Sequence, residues 1–135
     1  TISDGTVTGV IDELNGKIEK PTLYSSAEKQ IGVTDSGEPI YRKTIYANMG
    51  SFKIPSSGYQ QADIGTGVVI GKLFNISCHI IGFKNYALPY CGNGTAWGTW
   101  LNTVEKVGTQ HVLRFYNNVN WGSGYTLVAT IDYTK

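Results

Sequence analysis

The sequence predicts an all-β fold: an antiparallel β-sandwich, jelly-roll-like, behind one short N-terminal helix. Three observations predict it. Runs of alternating apolar and polar residues recur, as in Phe74-Asn75-Ile76-Ser77-Cys78-His79-Ile80, and alternation with period two marks a half-buried strand. Clusters of Gly, Asn and Ser separate these runs, and many short strands with such turns indicate a sandwich or jelly roll. Helical spacing occurs only at the front, between Thr6 and Pro21.

That front segment reads "TVTGVIDELNGKIEKP". Val7, Ile11, Leu14 and Ile18 fall at spacings of four, three and four, the d, a, d, a positions of a heptad. Gly9 and Gly16 then fall at the outermost position, where a missing side chain costs no packing. Pro21 ends the helix, because the residue before a proline avoids helical geometry. A helix this short is marginal alone in water, since isolated helices need about 12–15 residues even in favourable sequences. Its apolar stripe therefore needs a partner. Packing on the β-domain behind it is one solution; a coiled-coil stub shared between copies of the chain is the one expected. The chain divides accordingly into a helical neck, 1–21, and a β-sandwich head, 22–135.

Within the head, "QIGVTDSGEPIYRKTIY" reads as strand, turn and strand, with Asp35-Ser36-Gly37 turning and Pro39 suited to the first position of an edge strand. "MGSFKIPSSGYQQ" is loop-like around one short strand, and "IGTGVVIG" is a flexible strand edge. "KLFNISCHIIGF" is a half-buried strand, and "QHVLRFYNN" and "YTLVATIDY" are strands. In the last of these Tyr125, Leu127, Ala129, Ile131 and Tyr133 share one face, while Thr126, Thr130, Asp132 and Thr134 make most of a polar one. "NVNWGSG" between those two strands is a turn cluster, which predicts that they form a hairpin. A terminal strand is safe only when paired inside a sheet, so the C-terminal strand is expected to complete the core.

Composition limits the function classes. The 135 residues suit one domain with a short appendage. A net charge of +1 provides no basic field for nucleic acid or anionic lipid, and no apolar run is long enough to insert in a membrane. No signal peptide opens the chain, and the missing initial Met suggests a C-terminal piece of something longer. Cys78 and Cys91 are thirteen positions apart; a disulfide is compatible with that, and two buried or half-buried thiols are the expectation.

Two stretches resemble a known module. "YSSAEKQIGVTDSGEPIYRKTI", Tyr24 to Ile45, resembles the opening of a head module at the C-terminal ends of bacteriophage tail proteins and tail fibres. A Tyr-Ser start, an acidic residue, a β-branched residue before Gly, an Asp-x-Gly turn and Pro-Ile-Tyr-x-Lys-Thr follow there in the same order. "WGSGYTLVATIDYTK" resembles the close of that module. The turn near Thr34 departs from it by lacking a Trp, and the middle, about Gly50 to Gln110, has no counterpart, so no ligand residue is carried over. The resemblance implies a virion component at the distal tail. It would be a homotrimer, as tail fibres usually are, acting outside the host cell as a receptor-binding protein. Its partners would be further copies of itself and a cell-surface glycan or teichoic acid.

No catalytic constellation or cofactor motif stands out, and the chain is expected not to be an enzyme. A glycosidase pair could come only from residues such as Asp63 and Glu105, which nothing in the sequence brings together. Cys78 and His79, as strand neighbours, point to opposite faces and do not converge on one metal ion. "IGTGVVIG" lacks the Lys of a phosphate loop. "KNYALPYCGNGTAWGTWLN", Lys84 to Asn102, sets Tyr86, Tyr90, Trp97 and Trp100 among Gly, Asn and Thr in what reads as a loop. Aromatic faces of that kind stack on the apolar faces of sugar rings, and these four are the candidate ligand residues. Packing in the core or at a subunit interface is the competing role for them, and Trp121 is expected to be structural. Two other functions fit the same features: a ligand-free trimerising cap of a fibre, or a carbohydrate-binding module of a secreted bacterial protein.

Overall fold

A computed structural model describes residues 24–51, 60–91, 98–119 and 121–135, without the side chains of Tyr90 and Cys91. The neck, with Val7, Ile11, Leu14 and Ile18, and the candidate Trp97 lie outside the described residues. Nine strands follow in chain order among them: β1 (Lys29–Val33), β2 (Pro39–Asn48), β3 (Gln60–Gly65), β4 (Leu73–Ile81), β5 (Tyr86–Ala87), β6 (Tyr90–Cys91), β7 (Gly98–Val107), β8 (Gln110–Asn117) and β9 (Thr126–Tyr133). A single 3-10 turn, Met49–Ser51, follows β2. The described residues form an all-β fold, and every described strand pair is antiparallel.

The strands form two sheets, one ordered β1-β2-β9-β4-β5 and the other β3-β8-β7-β6. Ile45, Ile80, Leu127, Ala129, Ile131 and Tyr133 of the first sheet meet Leu113 and Phe115 of the second in one core, a sandwich arrangement. Burying each of these larger side chains stabilises the fold by about 1.5–3 kcal/mol relative to leaving it exposed.

β9 organises the first sheet. It lies between β2 and β4, with Ile131 opposite Lys43 on one side and Ile76 on the other. The inward face expected for it is fully buried from Leu127 to Tyr133. Its other face is buried as well: Thr130 and Asp132 are 3% and 7% exposed. Side chains reaching from the flanking strands, Arg42 and Thr44 of β2 and Asn75 of β4, crowd that face, and its polar residues are paired with them. Thr130 bonds the Thr44 hydroxyl at 3.0 Å, and Asp132 accepts from Arg42.

The turn between β1 and β2 forms as predicted, with Gly37 at φ +86°, a conformation that side chains resist, and its N–H bonded to Thr34 O at 2.9 Å. Pro39 opens β2, but β2 is not an edge: β1 and β9 flank it, and Pro39 is accommodated as the first residue of the strand.

Three expectations need correction. β8 and β9 do not form a hairpin, since β8 pairs with β3 and β7 while β9 pairs with β2 and β4. The "NVNWGSG" cluster instead carries the chain from one sheet to the other. Trp121 anchors that crossing at 6% exposure. The hairpin partner of β8 is β7, joined to it through Gly108 at φ +63°. The stretch Lys84 to Asn102 is also more than a loop, because it holds β5, β6 and the start of β7. Finally, Gln60–Gly65 is a full strand rather than the end of a loop.

Candidate functional site

Ile76 and Cys78 on the inner face of β4, Leu88 and Pro89 between β5 and β6, and Trp100 and Leu101 on β7 line a groove of about 440 Å³ between the sheets. A backbone bond from Leu88 N–H to Cys78 O, 3.1 Å, fixes the β5 side of this groove against β4. The Cys78 thiol is free, and burial pushes its pKa up to about 11. Such a thiol is a small apolar wall rather than a nucleophile or metal ligand at neutral pH. His79, its neighbour, is exposed on the other face of β4. His111 is engaged elsewhere, its Nδ1 accepting the Ile70 N–H at 3.0 Å.

Trp100 borders both the groove and the outer face of the second sheet. Leu113 and Phe115 of β8 point into the core, so Arg114 and Tyr116 point away from it. Register brings Trp100 opposite Tyr116 opposite Gln61, and Thr103 opposite Arg114 opposite Asp63, in adjacent rows across β7, β8 and β3. The Trp100 and Tyr116 rings are half-buried and tilted at 48°, with centroids 6.2 Å apart. In the next row Arg114 donates to both oxygens of Asp63, Nε–Oδ1 at 2.9 Å and Nη2–Oδ2 at 3.0 Å, and its Nη1 donates to Glu105. The guanidinium bonds hold the Asp63 carboxyl below its ordinary range, and Asp63 in turn holds Arg114 above its own. A row of fixed acceptors thus lies beside an aromatic pair. Glycosidase acid catalysis requires a carboxyl that keeps its proton, and the Arg114 contacts push Asp63 the other way.

The candidate aromatic residues separate in space. Tyr86 on β5 packs edge-on against Trp121, with centroids 5.0 Å apart, and Trp121 packs in the same way on Tyr125 at 5.4 Å. The Trp121 indole N–H donates to Thr99 Oγ1 (2.9 Å) and Asn117 Oδ1 (3.1 Å), and the Thr99 hydroxyl also bonds Asn117. This cluster closes one end of the sandwich. Of the two candidates whose side chains are described, Trp100 borders the groove and Tyr86 does not, while Tyr90 contributes the backbone of β6. Tyr116, Gln61 and Arg114 were not singled out in the sequence, and only the pairing of β3, β8 and β7 brings them beside Trp100.

A second depression, about 540 Å³, is lined by Glu28, Lys43, Gly67, Val68, Val69 and Lys135. Lys135 is tied to Glu28 at 2.6 Å and lies 4.5 Å above the Tyr41 ring. Among the described residues no group of three His, Cys, Asp or Glu is placed to hold a metal ion. No protein-family model matches the chain, and no curated protein or solved structure matches it.

Proposed function

We propose that the chain is the tip of a bacteriophage tail fibre or receptor-binding protein, a homotrimer that attaches the virion to a host-surface glycan and catalyses no reaction. One observation carries the binding part of this reading. Trp100 stands where an apolar inter-sheet groove meets a sheet face bearing Tyr116, Gln61, Thr103, Asp63 and Arg114. Sugars present an apolar ring face and a rim of hydroxyls together, and an aromatic ring beside fixed polar groups matches both. The jelly-roll-like reading is consistent with the repeated crossing of the chain between sheets, from β2 to β3, β3 to β4, β5 to β6 and β8 to β9.

The trimer supplies the partner that the neck's apolar stripe needs. Exchanging Val7, Ile11, Leu14 and Ile18 for Ser should lower the solution mass from about 44 kDa, three times the 14.7 kDa chain, and lower the apparent avidity for multivalent glycan. Immobilised glycans probed with the full chain and with Trp100→Ala test the binding. Retention by the wild type and loss by the variant, with an unchanged melting temperature, is the expected result. A monomer with no retained glycan ends this reading.

A second reading, a ligand-free cap that registers the fibre, is favoured by the exposure of Phe74 at 53%, near the start of β4, and of Phe83 at 90%, two residues beyond its end. Neighbouring copies would cover such side chains. Equal glycan retention by wild type and Trp100→Ala, together with a trimeric mass, would select this cap.

A further inference from the structure

The face beside Trp100 carries Asp63, Glu105 and Arg114, one positive and two negative charges, for a sum of −1. We infer that the glycan taken here is an uncharged, hydroxyl-rich one and that a polyanion such as teichoic acid is rejected; this rests on the glycan-binding reading above. The reason lies in how Arg114 is used. A phosphate or carboxylate ligand is ordinarily gripped by the fork of a guanidinium. Here three of the five guanidinium N–H groups, including the Nε and Nη2 pair that would grip a ligand side-on, are committed to carboxylates, with Nε and Nη2 on Asp63 and Nη1 on Glu105. The neighbouring positions in the two rows are Gln61, Thr103 and Tyr116, which add hydrogen-bonding groups and no positive charge.

What the face does offer is acceptors. Each carboxylate oxygen has room for more than one donor, and Arg114 fixes Asp63 in orientation. Sugar hydroxyls donate without bringing charge, whereas every repeat of a phosphodiester polyanion brings a negative charge to the same carboxylates. A polyanion approaching this face would meet uncompensated negative charge and would have to compete with two carboxylates already bonded to the one guanidinium. Recognition by stacking and hydroxyl donation also makes binding nearly independent of ionic strength, because no long-range attraction is involved.

The test uses the full chain with two probes, a panel of immobilised neutral oligosaccharides and purified poly(glycerol phosphate). Binding is measured at low salt and at about 0.5 M NaCl, where the Debye length falls to a few ångströms. At least one neutral oligosaccharide should bind, with affinity changing less than about twofold across that salt range. Trp100→Ala should weaken it by about fivefold or more, the value of a lost ring contact. The double change Asp63→Asn with Glu105→Gln turns the sum of the face from −1 to +1 and frees the Arg114 fork. It should lower neutral-sugar binding and confer salt-sensitive binding of poly(glycerol phosphate). Wild-type chain that binds poly(glycerol phosphate) but no neutral sugar would overturn the inference while leaving glycan attachment standing. Polyanion binding that falls on Lys43→Ala and not on Trp100→Ala would move the site to the Glu28–Lys43–Lys135 depression. Wild-type chain that binds neither probe would remove both the inference and the reading beneath it.

Discussion

Arg42 holds Asp132 by two parallel bonds, Nε to Oδ1 at 2.7 Å and Nη2 to Oδ2 at 2.8 Å, across the seam between β2 and the central strand β9. The guanidinium bonds depress the Asp132 pKa despite the burial that would raise it. The unfolded chain, whose Asp titrates near the ordinary value of about 3.9, therefore takes up this proton first. Stability from the pair is fully present above about pH 5 and is lost as pH falls through about 4 towards the folded value. Urea midpoints measured between about pH 7 and pH 2 should fall on the acid side. In Asp132→Asn the fall should be shallower, with a remainder from Asp63, Glu28 and Glu38, whose pKa values are also lowered. Arg42→Met should cost about 3 kcal/mol at neutral pH, since it strands a buried carboxylate. An acid profile identical in wild type and Asp132→Asn would refute the assignment.

Trp121 satisfies two demands at once, filling the space between Tyr86 and Tyr125 and donating its N–H to Thr99 and Asn117. Trp121→Phe keeps most of the ring contact and removes the donor. The expected cost is about 2 kcal/mol, because fully buried acceptors lose a partner. For a domain this size that lowers the melting temperature by roughly 6–10 °C. Trp121→Ala should cost more, about 3–5 kcal/mol, by adding a cavity. If both variants melt with the wild type, the crossing between sheets does not depend on this residue.

Deleting residues 126–135 removes all of β9 and separates β2 from β4, its two partners. The first sheet then has no centre, and the core loses Leu127, Ala129, Ile131 and Tyr133. Far-ultraviolet circular dichroism should show loss of the sheet signal, and proteolysis should be complete where the full chain resists. Lys135→Ala, which removes a charge paired with Glu28 and placed over the Tyr41 ring, should change the melting temperature by a few degrees at most. A folded truncation product would show that β2 and β4 can pair without their mediator.

How much of this was legible follows from which forces are local. β9 was, because its period-two pattern from Tyr125 to Tyr133 is unbroken and every residue from Leu127 to Tyr133 at those positions is fully buried. So was the β1–β2 turn, where Gly37 supplies a conformation that the short loop requires. β7 was not, because its register shifts between Leu101 and Thr103. That bulge puts the inward residues Leu101 and Val104 three apart instead of two and hides the strand's period. The β8–β9 hairpin failed because a Gly-Asn-Ser cluster specifies a change of direction and not the sheet in which the next strand lands. The Asp63–Arg114–Glu105 cluster was invisible for a related reason. Its members come from three strands joined only by tertiary pairing.

Cys78 reports on the groove without perturbing its charge. With the thiol pKa pushed up to about 11, the thiolate fraction at pH 8 is lower than that of an ordinary cysteine, pKa about 8.5, by roughly two orders of magnitude. In a Cys91→Ser background, so that one thiol is followed, disulfide-reagent labelling should therefore be slow at pH 8 and still rising above about pH 10. Unfolding in urea should restore the ordinary rate. Because Cys78 lines the groove together with Trp100 and Leu88, a ligand seated there should slow labelling further, whereas one confined to the outer sheet face should not. Protection by a neutral oligosaccharide that Trp100→Ala abolishes would place the sugar in the groove. Fast labelling of the folded chain at pH 8 would mean that Cys78 is more open than its half-buried position between Ile76 and Ile80 allows.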